Sequence, residues 1–213
     1  MNESKRIIME KRIEKTMANL ERNNMKPYYV KNKEEALKLV ESLMQEGQTV
    51  ACGGSVTLQE CGISDLLKSG KYNFLDRSVP GLTPAQITEI YRKAFFADTY
   101  LMSSNAVTEN GELYNVDGNS NRVAALTFGP ESVIVVAGYN KIVPDVDAAV
   151  QRVKKIAAPV NAYRLHCETP CAKAGECMNC HSTDRICCTY VLTSQQRKKN
   201  RIKVVLVGEE LGF

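Results

Sequence analysis

Six of the chain's eight cysteines fall between Cys167 and Cys188, in the order Cys167-x3-Cys171-x5-Cys177-x2-Cys180-x6-Cys187-Cys188. Both histidines, His166 and His181, sit beside them. Crowded thiols and imidazoles are soft ligands, so the cluster points to metal binding before it points to a core. Four thiolates satisfy either a tetrahedral zinc or a four-iron cluster, with free thiols as the third reading. Structural zinc sites usually pair two short Cys-x-x-Cys knuckles, and this segment has one, at Cys177 and Cys180. The run Cys177-Met178-Asn179-Cys180-His181 also fits the attachment pattern of c-type haem, but that chemistry belongs outside the cytoplasm. A thioredoxin-like pair at the same cysteines would need a preceding strand that the sequence lacks.

Two further stretches carry chemistry. Gly53-Gly54-Ser55 follows the apolar run Thr49-Val50-Ala51-Cys52 and opens a helical stretch. Glycines there let a ligand approach the backbone, and Ser55 can cap the helix or bond the ligand; a tight connection without ligand is the plainer alternative. The segment from Ser103 to Arg122 holds five asparagines, three carboxylates and two glycines. Much of that suits turns and caps, yet it also gathers groups fit for a polar ligand, among them Asn105, Asn119 and Asn121. Glu109 and Asp117 are the candidates for general acid–base work, and Arg122 and Lys141 could hold a carboxylate or phosphate. The basic run Arg197-Lys198-Lys199-Asn200-Arg201 lacks aromatic neighbours that could stack bases, so it reads as a solvated turn and not as a nucleic-acid site.

The elements that must position these residues alternate. An amphipathic helix is predicted over residues 4–24, a strand at 27–30 and a helix at 33–46. A strand at 49–52, the glycine turn and a helix to about Lys68 follow, then a strand at 73–76. Thr83-Pro84 caps a helix through Ala97. Strands at 99–103 and 112–116 flank an Asn110-Gly111 turn, and 119–128 is helical. Ser132 to Ala137 is apolar without alternation, as in a strand buried on both faces of a parallel sheet. Helix 145–157, the cysteine loop and strands at 189–193 and 202–207 complete the chain. This order predicts an α/β fold, a mostly parallel sheet with helices on both faces. The glycine turn and the asparagine-rich segment would then lie at the carboxyl edge of the sheet, where open α/β folds bind ligands.

Bulk properties agree. The 213 residues, 44% of them apolar and 24% charged, suit one α/β domain with an N-terminal helix over residues 1–25 and a main body over 26–213. A net charge of +4 permits an anionic ligand without implying a nucleic-acid binder. No segment approaches the roughly 18 apolar residues of a membrane span, and the charged N-terminus is unlike a secretory signal. A cytoplasmic protein is expected, and in that reducing compartment clustered thiols bind metal more often than they form disulfides.

Several stretches carry a family resemblance. Thr108-Glu109-Asn110-Gly111, Asn115-Val116-Asp117-Gly118, Asn121-Arg122-Val123-Ala124-Ala125 and Phe128-Gly129-Pro130 resemble the signature stretches of the LUD (lactate-utilisation) domain family. So do Ala137-Gly138-Tyr139-Asn140-Lys141-Ile142-Val143 and Gly208-Glu209-Glu210-Leu211-Gly212-Phe213. The resemblance runs from about Lys26 to the last residue. It implies a Rossmann-like domain similar to ribose-phosphate isomerases and coenzyme A transferases, in which Gly53, Gly54 and Ser55 would hold a phosphate or acyl group. The family takes its name from subunits of a complex that oxidises L-lactate to pyruvate alongside iron–sulfur partners. This chain resembles instead a stand-alone branch with a cysteine-rich C-terminal insert, here residues 167–188. Cys171, Cys177, Cys180 and Cys187 match that branch's pattern Thr-Pro-Cys-x5-Cys-x2-Cys-x6-Cys, starting at Thr169-Pro170. The redox kinship and irregular spacing favour an iron–sulfur cluster over zinc. Cys167 and Cys188 are spare ligands or bystanders, and Cys52 and Cys61 read as small buried residues.

Two functions are consistent with this. In one, the chain serves organic-acid redox metabolism and binds a small anionic metabolite between the glycine turn and the 105–122 segment. In the other, it is a non-catalytic protein with a structural metal site that senses a metabolite or docks a redox protein partner.

Overall fold

A computed structural model describes residues 3–213. Helix α1 (Glu3–Arg22) leads into β1 (Lys26–Val30), α2 (Lys33–Ser42) and β2 (Thr49–Cys52). Next come α3 (Val56–Glu60), α4 (Ile63–Leu67), β3 (Asn73–Phe74) and α5 (Pro84–Lys93). Strands β4 (Thr99–Met102), β5 (Ala106–Thr108) and β6 (Leu113–Asp117) precede α6 (Asn121–Thr127) and β7 (Ser132–Gly138). Then follow β8 (Ile142–Val143), α7 (Val146–Arg152), α8 (Ala158–Arg164), α9 (Pro170–Ala174), β9 (Thr189–Thr193) and β10 (Ile202–Val207).

Local chemistry sets many of these boundaries. The side chains of Asn32, Ser55 and Asp145 each accept a backbone N–H in the first turn of their helices, which replaces one of the donors a helix start leaves unpaired. Thr83 and Gln86 form a reciprocal capping box with Pro84 at the first helical position. The single helix expected between Ser55 and Lys68 is two short ones. Gly62, at φ +70°, takes a left-handed turn between them. The helix expected to stop at 157 runs on to Arg164. Pro159 cannot donate to the carbonyl four residues back, and the chain passes the defect through a π-type turn over Val153–Ala157.

Six strands form one parallel sheet in the order β1-β10-β7-β4-β2-β3. Strand β7 lies between two parallel neighbours, and its side chains alternate between two cores. Val133, Val135 and Ala137 join one, with Met9, Ile13 and Leu20 of α1 and Leu126 of α6. Ile134 and Val136 join the other, beneath Val40 of α2, Leu58 of α3 and Leu67 of α4. Each fully buried aliphatic side chain contributes about 1.5–3 kcal/mol, so the absence of alternation in β7 follows from burial on both faces. The Rossmann-like α/β architecture expected from the sequence is present.

A second sheet was not expected. Strands β8-β5-β6-β9 form a separate four-stranded sheet, with β5–β6 and β6–β9 antiparallel. One of its faces (Val107, Leu113, Ile142) packs on the main sheet's α1 side. The other (Ala106, Val116, Val143) packs on Ala149 and Val153 of the long helix. Segments 106–117 and 189–193 thus extend the fold by one layer and do not enter the main sheet.

Helix α1 is pinned to the β5–β6 hairpin. Asn19 and Asn23 donate to the carbonyls of Glu109, Asn110 and Gly111. Gly111 is at φ +77°, and a Cβ there would strike the backbone of Asn19 and Leu20. Both constraints require glycine at that turn.

Candidate functional site

Strand β2 passes the chain to β3 at one edge, whereas its other neighbour β4 passes it toward β7 on the opposite side. The direction of winding therefore reverses between the carboxyl ends of β2 and β4. Crossovers leaving to opposite sides open a crevice there, the place where α/β sheets hold ligands. A cleft of about 240 Å³ lies at this point, lined by Gly54, Ser55, Ser103, Ser104, Asn105 and residues from seven further segments. It is smaller than typical drug-sized pockets, a size suited to a small metabolite.

Of the residues singled out from the sequence, Gly54, Ser55, Asn105, Asp117, Asn119, Asn121, Arg122 and Lys141 all line this cleft. Gly53 lies beside it, under the stem of Arg122. Glu109 is not brought there. It sits on the hairpin, 13% exposed, where Arg12 Nε and Lys15 Nζ donate to its carboxylate at 2.7 and 3.0 Å. Burial acts to raise its pKa, but the hydrogen bonds from Arg12 and Lys15 outweigh that and hold the carboxyl below its usual range. A carboxylate so committed anchors α1.

Arg122 departs from the role its charge suggests. Its Nε donates to Asp117 Oδ1 at 3.2 Å, Nη1 to Ser103 O and Asn115 Oδ1, and Nη2 to Asn105 Oδ1 and Val116 O. These bonds account for all five guanidinium N–H donors, so the group contributes charge to the cleft but no unpaired donor. Gly53 makes this possible: a Cβ there would lie 2.8 Å from Arg122 Cδ. The expected use of Gly53, approach of a ligand to the backbone, gives way to passage of an arginine stem. Arg152, itself buried, donates to Asn105 O at 2.6 Å and Asn140 O at 3.2 Å and so ties the floor of the cleft to the long helix.

Lys141 is 3% exposed and still lines the cleft. Its Nζ donates to Thr57 Oγ1 at 2.9 Å and Ser103 Oγ at 3.0 Å. Among the described residues no carboxylate pairs with it. Burial, then the charges of Arg152 and Arg122, push its ammonium down to about 7. The amine therefore changes charge near neutral pH, a property of groups used in proton transfer or nucleophilic attack.

Sequence reasoning missed Arg77, Tyr91, Thr57, Asn161 and Arg164, which also line the cleft. Arg77 directly follows the strand expected at 73–76, so its place at a strand's carboxyl end was an available signal. Its guanidinium donates to Tyr91 Oη at 3.0 Å and lies where a side chain on Gly54 would be, 2.7 Å from that Cβ position. Asn161 and Arg164 were hidden because the expected helix ended at 157, before them.

The cysteine segment rims the cleft through Ile186, whose backbone lies over Gly118. Arg185 holds this segment together by donating to the carbonyls of Cys180 and Cys187. Cys171 is buried beside Thr169 Oγ1, Cys177 accepts from Asn179 N, and Cys187 packs on the core of the second sheet. Among the described residues no three His, Cys, Asp or Glu side chains converge as a metal-holding group. Burial pushes the thiols of Cys52 and Cys61 up to about 11, which suits inert packing residues. No helix among the described residues is long and apolar enough to cross a membrane.

Comparison with known proteins adds the following. Residues 13–207 match the LUD domain. No curated protein matches the chain. Among solved structures it is similar to a DUF162 family protein from Deinococcus radiodurans, determined at 1.70 Å, with 15% identity and a TM-score of 0.48 over 95% of this chain and 97% of that one.

Proposed function

The chain belongs to the LUD domain family, and on that premise we propose that it is a lactate-utilisation-type protein that binds a small anionic metabolite in the cleft between β2, β4 and Lys141. One observation carries this reading. Three guanidinium groups, Arg77, Arg122 and Arg164, and the titrating amine of Lys141 line the cleft, against Asp117 as the one side-chain carboxylate among the described lining residues. Asp117 is already paired with Arg122 at 3.2 Å. The excess positive charge lies in a concave, partly desolvated space, where attraction for an anion is stronger than at an open surface.

In this reading Arg77 and Lys141 contact the anion, while Ser55, Asn119 and Asn121 offer neutral hydrogen-bonding groups beside it. Arg122 and Asp117 hold the cleft's shape. Lys141 is the group best placed to take or give a proton, because its charge changes near neutrality. The second reading, a metabolite-sensing protein without turnover, draws on the commitment of Asp117 to Arg122, which leaves the cleft's carboxylate less free to act as a base.

Calorimetric titration with pyruvate, lactate, a sugar phosphate and coenzyme A tests the proposal. Saturable binding of at least one of these, weakened when Arg77 is changed to Met, is the expected result. Heats indistinguishable from dilution for all four would defeat it. Turnover of a bound compound by the isolated chain would remove the sensing alternative.

A further inference from the structure

We propose that Lys141 Nζ forms a reversible imine with the carbonyl of a small 2-oxo acid held in the cleft. The inference rests on the anion-binding reading above and gives it a substrate class.

The surroundings of Nζ carry the argument. Its two hydrogen bonds, to Thr57 Oγ1 and Ser103 Oγ, match the two N–H groups of a neutral amine, whose lone pair is then left for attack. Gly212 closes a third side: a Cβ there would lie 3.3 Å from Nζ and 2.6 Å from Thr57 Oγ1. The remaining approach is the cleft, which Lys141 lines. Lysines become nucleophiles toward carbonyls when desolvated or placed beside another cation, and both conditions hold here. Lys141 is 3% exposed, no carboxylate among the described residues pairs with its ammonium, and the opposing charges of Arg152 and Arg122 outweigh the support from Glu60. A pKa of about 7 is consistent with this geometry. Arg77 supplies the complementary requirement. Its guanidinium lies above Gly54 with one hydrogen bond, to Tyr91, so it retains donors for a carboxylate adjacent to the carbonyl.

The step balances without an oxidant or reductant. The amine lone pair forms a C–N bond as the carbonyl π bond opens to a carbinolamine. The carbinolamine then loses its oxygen together with the two original amine protons, as water. The Thr57 and Ser103 hydroxyls are positioned to pass those protons. The imine takes up one proton from solvent, and hydrolysis reverses the sequence.

Reductive trapping tests this on the wild-type chain. The protein is incubated with pyruvate at neutral pH, reduced with borohydride and analysed by intact mass and peptide mapping. The expected product carries the mass of pyruvate less one oxygen, on Lys141. At pH 7 Lys141 should be labelled up to about 10³ times faster than an exposed lysine, the ratio of their free-amine fractions. Lactate has no keto group and should give no adduct. Calorimetric binding of pyruvate without an adduct on Lys141 would overturn the imine and leave anion binding intact. Labelling confined to exposed lysines would overturn it as well. Absence of both pyruvate binding and adduct would bring down the imine, and the anion-binding reading would fall with it if lactate, a sugar phosphate and coenzyme A also gave no heat of binding.

Discussion

Replacing Lys141 by Met changes how stability depends on pH. Lys141 has an ordinary lysine pKa when unfolded and one near 7 when folded. Between these values the unfolded chain binds more protons than the folded one, so stability rises with pH across the window. The slope approaches about 1.4 kcal/mol per pH unit, and integration from about pH 7.5 to about 9.5 gives roughly 2–3 kcal/mol. Below about pH 7 both states are protonated and the dependence disappears. Other titrating groups contribute nearly equally to wild type and Lys141→Met, so the difference between the two isolates this one. Urea unfolding monitored by circular dichroism at several pH values should show wild type gaining about 2–3 kcal/mol relative to the variant across that window. Parallel stability curves for the two proteins would show that Lys141 is an ordinary charged lysine. The account of the cleft would then lose its titrating group.

Three other outcomes follow from the same geometry. Arg122→Met removes the guanidinium's hydrogen bonds to Asp117, Asn105, Asn115 and two carbonyls and should cost about 3–5 kcal/mol in urea unfolding, whereas Arg77→Met should change stability by less than about 1 kcal/mol yet weaken anion binding by about tenfold or more in calorimetry. Glu109→Gln should leave anion binding unchanged and lower stability by up to about 1 kcal/mol at neutral pH. Because the folded pKa of Glu109 is depressed, that contribution is present above its unfolded pKa and is lost as pH falls through the folded one, as acid titration of unfolding would reveal. Removal of any metal from Cys171, Cys177, Cys180 and Cys187 with a chelator should leave anion binding intact, because none of the four thiols lines the cleft; loss of binding would tie the cysteine segment to the site.

Features governed by local pattern were legible in the sequence. The apolar run of β7, the Thr83-Pro84 cap and the glycine turn after β2 each follow from contacts within a few residues. Their joint placement at the carboxyl edge of a parallel sheet then follows from general rules of winding, which is why so many of the singled-out residues share one cleft. What stayed hidden depended on long-range pairing. Strands β5 and β8 are three and two residues long and pair with each other across a long stretch of chain, so no periodicity announces them. Glu109 and Asp117 look alike in sequence. Only the docking of α1 separates an anchor from a cleft carboxylate. Arg122 likewise looks like an anion ligand until its five acceptors are known, and these come from Ser103, Asn105, Asn115, Val116 and Asp117 together.

The central claim is that a small anion binds between Arg77 and Lys141 at the β2–β4 crevice. A crystal structure of the protein grown with saturating pyruvate tests it most directly. The account predicts density for the ligand in this cleft, its carboxylate against the Arg77 guanidinium and its carbonyl carbon facing Lys141 Nζ. Pyruvate bound elsewhere, or a cleft holding only water at saturating concentration, would contradict it.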